Sequence, residues 1–390
     1  MRKKLLRVLK ISMIIVLIIT ALIVGYFTTI IIINSTQNYS PSTVDTLVIN
    51  KGRNAWLFPD ENISIISWNI GYCGLGKEMD FFYEGGKKMR PNKELFKTYL
   101  NSVFNIVSAM DSVDFLLLQE VDFYARRTYY THQDSLFMQA LPAFSSTKAI
   151  NYNVPFIPFP VFNPMARVNS GMMTFSRYIP EWAHRISYPG SYTWPMNVFF
   201  LDRCFIIMRF ELDEKKDLYV INTHNSAYSD AGDIRLTELL FLRSFVLDLY
   251  SRGHYVVVGG DWNQSPPGFK PDEIKNGDKI QSTGNPLAMD FLPKGWNWIY
   301  DNSMPTNRDV NISYQKGTTN TTILDYFLCS PNIEVNKVKT IDMNFSYSDH
   351  NPIYLNISLI PDSACCDSMK VYEIMKERID PKNKKNKHKK

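Results

Sequence analysis

The chain has 390 residues, 45% of them hydrophobic and 14% aromatic, which is enough apolar surface for a large core and excludes an intrinsically disordered protein. Its formal net charge is +5, but eleven positive charges lie in residues 1–10 and 381–390. Removing these eleven from the total of +5 leaves −6 for the central part, which argues against a broad basic surface for long nucleic acids.

The first predicted element is a membrane-spanning helix. Residues 11–33 form an uncharged, mostly apolar run of 23 residues, long enough at about 1.5 Å per residue to cross a hydrocarbon layer about 30 Å thick. The basic residues 1–10 precede it and no comparable cluster follows directly, which predicts a cytoplasmic N-terminus and an extracytoplasmic remainder. A cleaved signal peptide is the alternative, but the run is long for one and residues 34–43 offer no small-x-small cleavage site. We interpret the run as an uncleaved signal anchor, with the membrane as its partner.

Shifts in composition predict the boundaries of the remaining segments. Residues 1–10 form a basic cytoplasmic segment, and residues 34–60 begin as a polar Asn/Ser/Thr/Pro stretch that we expect to be a tether. A folded domain should occupy residues 61–362. The tail over residues 363–390 is basic, and we expect its end to be disordered.

The cysteines indicate neither a structural zinc site nor a disulfide framework, because they lack CxxC spacing and an even count. Three interpretations stay open for the adjacent pair Cys365 and Cys366: lipidation, a disulfide to a partner, or no role. The other three cysteines are Cys73, Cys204 and Cys329.

Apolar, strand-like runs along the rest of the chain end beside polar side chains. Residues 63–68, 114–118, 218–223 and 255–260 are such runs, rich in branched or aromatic side chains. An aspartate also lies inside the apolar run 323–329, an expensive position for a charge unless it is paired. Chemistry is usually mounted where strands end, so these polar residues form the candidate site. They are Asn69, Glu120, His224, Asp261, Asn263, Asp325, Asp349 and His350.

Two amphipathic helices should pack on the predicted sheet. Apolar side chains recur at spacings of three and four over residues 93–110, and again from Ser229 or Asp230 to residue 252. Residues 154–164 are rich in proline and phenylalanine, so we expect a loop packed over the core. The alternative for this segment is an exposed apolar lip that engages lipid or an apolar part of a substrate. Residues 266–316 give no functional prediction.

The candidate site combines carboxylates, amides and two imidazoles, without a cysteine cluster. Carboxylate and amide oxygens suit a hard divalent cation that also binds the phosphate of a substrate. The sequence therefore predicts Mg²⁺ or Mn²⁺, and not zinc, as the cofactor.

Six short motifs that contain these residues resemble the endonuclease/exonuclease/phosphatase superfamily of metal-dependent phosphoesterases, in the same order and with similar spacing. This resemblance covers roughly residues 62–360. It implies an α+β fold, a four-layer α/β/β/α sandwich with two mixed β-sheets, and a site at the edge where strand ends converge. The motifs are SWNIG, LLQEV, INTHN, GGDWN, LDYFL and SDHNP.

The resemblance also implies roles for individual residues. The metal-side residues would be Glu120, Asn69 and Asp349, with Asn69 contacting metal or phosphate. Asp261 would orient or deprotonate the attacking water, and His350 would donate to a phosphoryl oxygen. Asp325 would fix the tautomer of His350. His224 would be a second imidazole at the phosphate, and Asn263 would help to bind the phosphate.

Arginine side chains pair well with phosphate, so Arg203 and Arg167 are candidate substrate clamps, although arginines also pair with surface acids. The acidic body, the predicted anchor and the extracytoplasmic placement favour a phosphodiester or phosphomonoester of a lipid head group or small molecule. An extracytoplasmic nuclease and a non-catalytic, membrane-tethered binding domain are the alternatives.

Overall fold

The structure is a computed structural model that describes residues 2–53, 55–59, 61–212, 215–227, 232–283 and 287–361. The predicted basic tail over residues 363–390, with Cys365 and Cys366, lies outside the described residues. So does the predicted start of the second amphipathic helix at Ser229 or Asp230.

The chain opens with one long helix, α1 (Arg2–Thr36). It is longer than the apolar run 11–33 because the basic residues before that run are also helical. The most apolar stretch of 18 residues in α1 is not buried by the rest of the protein. A helix of this length and composition near the N-terminus could be a membrane anchor or a signal sequence.

Two large mixed sheets form the centre of the fold. The first has the spatial order β1 (Val44–Thr46), β6 (Trp182–Ser187), β7 (Cys204–Glu211), β8 (Asp217–His224), β9 (Tyr255–Asp261), β14 (Asp325–Cys329) and β11 (Asn297–Ile299). The second has the order β15 (Ile333–Thr340), β16 (Ile353–Leu359), β2 (Ile63–Asn69), β3 (Phe115–Asp122), β5 (Ala166–Ser176) and β4 (Ser145–Ile157). A small third sheet contains β10 (Lys279–Ile280), β13 (Asn320–Thr322) and β12 (Asn307–Arg308).

Helices cover the outer faces of both large sheets. Helices α2 (Lys93–Ala109) and α3 (Gln133–Ala140) pack on the second sheet, and α4 (Gly232–Ser251) packs on the first. The side chain of Asn92 caps α2 by accepting a hydrogen bond of 2.9 Å from the backbone N–H of Leu95. The predicted four-layer α/β/β/α sandwich with two mixed sheets is therefore confirmed.

The main core lies between the two sheets, where their inward-facing apolar side chains meet. Leu117 from the second sheet and Phe327 from the first belong to the same buried cluster. Gly259 allows this close approach, because a Cβ there would lie 2.4 Å from the Phe327 ring and 2.9 Å from Leu117 Cδ1. The two sheets therefore approach each other closely at Gly259, two residues before Asp261 of the candidate site.

The tether predicted over residues 34–60 does not fit the structure across its second half. Residues 44–46 form β1 and pair antiparallel with β6. Asn50 bridges Ser146 on β4, and the Leu57 side chain is buried in the main core. The apolar side chains after Ser42 account for this difference, because they contribute to a core that a free tether would leave exposed. The folded part of the chain thus begins before residue 61.

The loop predicted over residues 154–164 is also wrong for its first four residues, since β4 extends to Ile157. β4 is an edge strand of the second sheet, where Pro155 is tolerated because the missing N–H removes no central ladder bond. From residue 158 to residue 164 the chain is irregular, as expected.

Candidate active site

The eight candidate polar residues lie at one edge of the sandwich. β2 and β3 are parallel neighbours, and so are β8 and β9, so the carboxyl ends of all four strands point the same way within their sheets. Asp261 at the end of β9 lies beside His224 on one side and Asp325 on the other in the strand register. Strand order therefore brings together side chains that are 37 and 64 residues apart in sequence.

A buried amide network joins the two sheets directly beneath this edge. Gln119 Nε2 donates to Asn222 Oδ1 at 2.7 Å and to Ser67 Oγ at 3.1 Å. Asn222 Nδ2 in turn donates to the carbonyl oxygens of Leu118 at 3.2 Å and Met173 at 3.0 Å. Such a network fixes the position of one sheet relative to the other, and hence of the side chains that each contributes to the site.

His350 is held by a buried carboxylate. Its Nδ1 lies 2.7 Å from Asp325 Oδ2, and Asp325 is fully buried. Burial alone lowers the pKa of His350, but the carboxylates of Asp325 and Asp261 outweigh it and raise the pKa to about 10. The imidazole is thus cationic at neutral pH and carries a proton on Nε2, which faces the site 3.7 Å from Asp261 Oδ2.

Asn307 also contacts His350, and the sequence analysis did not identify it. Its side-chain amide lies 2.9 Å from His350 Nε2. The Asn307 atom nearest to this nitrogen is Nδ2, which can only donate, so a protonated Nε2 requires the amide to turn until its oxygen accepts. Asn307 lies in the loop-rich region 266–316, where no apolar run marked a strand end.

One amide joins two carboxylates at the centre of the site. Asn69 Nδ2 donates to Asp261 Oδ2 at 3.0 Å and to Glu120 Oε1 at 3.2 Å. Burial raises the pKa of Asp261 to about 6; the His350 cation opposes this rise and the Asp325 carboxylate adds to it. Carboxylates held this close to one another favour a bound cation, because it offsets their mutual repulsion.

Glu120 is presented by a distorted backbone. Its φ is +53°, and the pairing of β3 with β5 shifts register between Leu118 and Val121. A left-handed conformation at a non-glycine residue is strained, and bulges of this kind often re-aim a side chain beside a functional site. The bulge leaves Glu120 as the more exposed carboxylate of the pair, with 28% of its side chain accessible against 2% for Asp261.

His224 contrasts with His350 in its charge. Its Nε2 lies 3.5 Å from Asp261 Oδ2 and 3.9 Å from Glu120 Oε1. Burial lowers the pKa of His224 well below its usual value, and the nearby cations of Arg203 and His350 lower it further. The imidazole is therefore neutral. Its Nδ1 is buried and has no hydrogen-bond partner in the described part of the chain.

Asp349 is packed against the glycine of the first motif. A Cβ on Gly71 would lie 2.6 Å from Asp349 Oδ1, and Gly71 has a φ of +49°, so this position requires glycine. Burial raises the pKa of Asp349 to about 6, with His350 lowering it and Glu120 raising it. The influence of Glu120 indicates that the two carboxylates share the same part of the site.

Asn263 closes the site below Asp261. Its backbone N–H donates to Asp261 Oδ1 at 2.9 Å, and its Nδ2 donates to the carbonyl of Asn225 at 2.8 Å. Asn263 has a φ of +52°, a conformation that asparagine tolerates better than most residues. Its amide therefore fixes the loop, and its amide nitrogen is already engaged with the backbone.

The two candidate arginines differ in position. Arg203 reaches the site, with Nη1 3.4 Å from the carbonyl oxygen of His224. Arg167 lies on β5, beyond the residues that pair with β3, and among the described residues no hydrogen bond joins it to the cluster. The geometry thus brings Arg203, but not Arg167, into contact with the candidate site.

Two sets of residues could hold a divalent cation. Asp261, Asp325 and His350 have ligand atoms within 4.8 Å of one another. However, Asp325 is already bound to a protonated His350 Nδ1, and a cationic imidazole is not a ligand. The oxygen donors of Glu120, Asn69 and Asp349 form the second set, and they fit Mg²⁺ or Mn²⁺ by their chemistry and by the accumulated negative charge.

Comparison with known proteins places the fold in a family. The sequence matches the endonuclease/exonuclease/phosphatase family over residues 66–350, most of the chain. No curated protein matches it significantly in sequence.

Similar solved structures include ANGEL2, a 2′,3′-cyclic phosphatase in complex with adenosine-2′,3′-vanadate, at 14% identity, covering 79% of this chain and 99% of that one, with a TM-score of 0.51. TDP2 from Caenorhabditis elegans is 16% identical, with 76% of this chain and 74% of that one covered and a TM-score of 0.46. The catalytic domain of human Nocturnin with bound sulfate is 16% identical, with 80% of this chain and 97% of that one covered and a TM-score of 0.47. At 14% identity, the similarity to ANGEL2 supports the fold alone. From the extent of the sequence match, we conclude that the chain belongs to the endonuclease/exonuclease/phosphatase family, whose members hydrolyse phosphoester bonds.

Proposed function

We propose that this protein is a membrane-anchored, divalent-metal-dependent phosphoesterase that hydrolyses a phosphodiester or phosphomonoester by in-line attack of an activated water. The observation that carries the proposal is the convergence of two imidazoles on one buried carboxylate at a sheet edge, with His224 Nε2 3.5 Å and His350 Nε2 3.7 Å from Asp261 Oδ2. The buried Asp325 holds His350 through Nδ1 at 2.7 Å. The pKa of His350 is raised and that of His224 is lowered, a separation typical of acid and base roles in one site.

Glu120, Asn69 and Asp349 would hold the cation. A bound Mg²⁺ or Mn²⁺ would supply positive charge next to phosphoryl oxygens, which gain negative charge during the reaction. The strained backbone at Glu120 supports this assignment, because it turns the more exposed carboxylate toward the open side of the site.

Asp261 would orient and deprotonate the attacking water. Asn69 donates to one of its oxygens and the N–H of Asn263 donates to the other, so the carboxylate is fixed in direction. Its pKa of about 6 leaves it ionised at neutral pH but more basic than a solvent-exposed aspartate. Both properties suit a general base.

His350 would donate its Nε2 proton to a phosphoryl oxygen. Asp325 keeps the imidazole protonated and fixes its orientation through Nδ1. This role also explains why a charged residue occupies the buried start of β14, where an unpaired carboxylate would be costly.

His224 and Arg203 would bind the substrate phosphate from the other side. A neutral His224 can donate through one ring nitrogen. Arg203 supplies a permanent positive charge next to the backbone carbonyl of His224. Asn263 supports this side by holding Asn225. Arg167 is retained only as a more distant substrate contact.

A lipid head group or a small molecule is the substrate class that we favour. The central part of the chain is acidic, which weakens binding to long nucleic acids, and α1 would hold the domain at a membrane. We further propose that residues 61–362 contain the catalytic domain, with residues before 61 completing its sheet. The cytoplasmic placement of residues 1–10 and the extracytoplasmic placement of the domain complete the proposal.

The test is a substrate panel offered to the detergent-solubilised full chain with Mg²⁺. The panel contains bis-p-nitrophenyl phosphate, phospholipids, inositol phosphates and plasmid DNA, and His350→Ala serves as the background control. Hydrolysis of lipid or small phosphoesters that His350→Ala loses is the expected result. Cleavage of plasmid DNA alone would favour a nuclease, and turnover of none of the four would favour a non-catalytic binding domain.

A further inference from the structure

The end of α1 is docked onto the folded domain along one helical face. Phe27, Ile30 and Asn34 are spaced at three and four residues, and Ile30 and Asn34 are buried there although the rest of α1 is largely exposed. Asn34 exchanges two hydrogen bonds with the backbone of Phe156, at 2.9 Å from Nδ2 to the carbonyl and 3.2 Å from the N–H to Oδ1. These contacts therefore fix the position of the folded domain along the axis of α1.

This docking sets the depth of residues 157–164 relative to the apolar run. The Phe159 ring stacks on the Phe27 ring with centroids 5.7 Å apart. Phe27 lies six residues before Ile33, the end of the run, which corresponds to about 9 Å along the helix. If residues 11–33 cross the bilayer, the Phe159 ring lies about 9 Å on the membrane side of Ile33, in the outer part of the hydrocarbon layer beneath the head groups.

The surface at this depth is apolar and exposed. Phe162 is fully exposed, Val161 is 55% exposed and Phe159 is 44% exposed. Trp194 is 65% exposed, and its indole N–H donates to Ser35 Oγ at 3.2 Å, just beyond the end of the apolar run. Tryptophan and tyrosine are enriched at this level of membrane proteins, because their rings are apolar and their N–H or O–H groups are polar.

We propose that residues 157–164, together with Trp194 and Met196, form a second membrane contact that inserts beside α1 into the head-group region and the outer part of the hydrocarbon layer. We call this surface the membrane seat. It is continuous with the exposed apolar surface of α1, which is why we assign a lipid bilayer, and not a second copy of the chain, as its occupant. The inference rests on the proposed membrane anchoring but not on the proposed catalysis.

The membrane seat lies on the same side of the sandwich as the candidate active site. Residues 157–164 connect the end of β4 to the start of β5, near the end of β3 that carries Glu120. The segment with Met196 packs on Tyr152 of β4 through a hydrogen bond and leads to Arg203, which contacts His224. A seated domain would thus hold its catalytic edge next to the bilayer surface.

The experiment places a fluorescent label at Phe162 in the full chain, reconstituted in phosphatidylcholine vesicles. The background carries Cys365→Ser and Cys366→Ser. The other natural cysteines, Cys73, Cys204 and Cys329, are kept because they are buried and poorly accessible to a thiol reagent. Three variants, each with one added cysteine, are labelled with an environment-sensitive dye. They are Phe162→Cys in the seat, Ser112→Cys at the opposite end of the same sheet, and Leu17→Cys in the middle of α1.

Quenching by lipids with a nitroxide on the acyl chain, compared with quenching by aqueous iodide, reports the depth of each label. We expect the Phe162 label to be quenched by the lipid nitroxide at least about fivefold more than the Ser112 label, with a blue-shifted emission. Equal iodide access at both positions, with the Leu17 label quenched by lipid, would overturn the membrane seat and leave the anchor intact. Iodide access at Leu17 would overturn the anchor, and the seat with it.

Discussion

At the scale of single residues, the candidate site is organised by opposite pKa shifts on two histidines. His350 gains a proton because Asp325 and Asp261 outweigh the effect of burial, whereas His224 loses its proton to burial and to neighbouring cations. The same carboxylate, Asp261, lies within 3.7 Å of both rings. In such a site the imidazolium can donate a proton to a phosphate oxygen while the base, Asp261, stays unprotonated.

The first prediction concerns the carboxylate behind His350. In Asp325→Asn the attraction that raises the pKa of His350 is removed while the burial that lowers it remains. The pH–rate profile should lose activity on its basic side at lower pH than the wild type, and turnover at pH 8 should fall by about 10²–10⁴-fold. Asp111→Asn, an exposed change far from the site, is the control. An unchanged basic limb in Asp325→Asn would remove Asp325 from the mechanism.

The second prediction concerns cation binding and pH. Burial raises the pKa of Asp261 and of Asp349 to about 6, so the metal-free folded state holds protons that the unfolded chain has lost above about pH 4. Metal-free stability should therefore decrease as the pH rises from about 4 to 6, and bound Mg²⁺ should offset this loss.

The measurement is the rise in melting temperature on adding Mg²⁺, at pH 5 and at pH 7. We expect a larger rise at pH 7, because at pH 5 the cation must displace the proton of its ligand Asp349, and protonation of the nearby Asp261 lowers the negative charge that attracts the cation. The double variant Asp261→Asn, Asp349→Asn should show a rise that no longer depends on pH. A larger rise at pH 5 in the wild type would contradict the assignment of these carboxylates.

At the scale of elements, parallel strand pairs explain most of what the sequence could predict. The apolar runs before Asn69, Glu120 and Asp261 marked β2, β3 and β9, and their carboxyl ends meet because the pairs are parallel. The sequence could not reveal the bulge at Glu120, which depends on how β3 pairs with β5. Nor could it reveal Asn307, because a two-residue strand in a loop-rich region leaves no periodic signal.

Asn222 makes an inter-sheet contact that its place in the sequence could have indicated. It lies in INTHN, one residue before the end of an otherwise apolar and fully buried run. A polar side chain inside a buried strand must find partners, and here the partners come from the other sheet. From sequence alone one can infer that such a buried polar residue needs a hydrogen-bond partner. The partner itself cannot be identified, because it is distant along the chain.

The third prediction tests this inter-sheet contact. Asn222→Ala leaves the Gln119 amide and the Leu118 and Met173 carbonyls without their Asn222 partner. The free energy of unfolding should fall by about 2–4 kcal/mol, since each unsatisfied buried group costs about 1–3 kcal/mol.

Chemical denaturation followed by tryptophan fluorescence measures this loss. Asn356→Ala is the matched control, because that side chain lies on β16 and, among the described residues, its hydrogen bonds stay within one sheet: it donates to the carbonyl of Ile63 at 3.4 Å and accepts from Asn336 at 3.1 Å. A loss in Asn222→Ala no larger than in the control would mean that the network does not hold the sheets together.

At the scale of the whole molecule, α1 and the folded domain behave as one oriented unit. The contacts of Asn34, Phe27 and Ser35 with the domain leave no free tether between the apolar run and the sheet. The sequence predicted the helix but not this docking, because the polar residues 34–43 read as a spacer. If α1 spans a membrane, this packing, and not the length of a tether, would set the distance between the bilayer and the candidate active site.

The fourth prediction concerns topology. Asn38, Asn62, Asn311 and Asn344 each begin an Asn-x-Ser sequon, and all four side chains are exposed. If the domain is extracytoplasmic, translation of the full chain in the presence of endoplasmic reticulum microsomes should add glycans at one or more of these positions, and an endoglycosidase should remove them. The control for this mobility shift is the variant in which all four asparagines are replaced by glutamine. Protease-accessible, unglycosylated domain on intact microsomes would place it in the cytoplasm.

The most direct test of the central claim is turnover of bis-p-nitrophenyl phosphate by the detergent-solubilised full chain before chelation, after chelation and after Mg²⁺ is restored. We predict that excess chelator reduces turnover to the level of Glu120→Gln and that Mg²⁺ returns it to the starting rate. Equal turnover with and without chelator would show that the carboxylates around Asn69 do not act through a divalent cation.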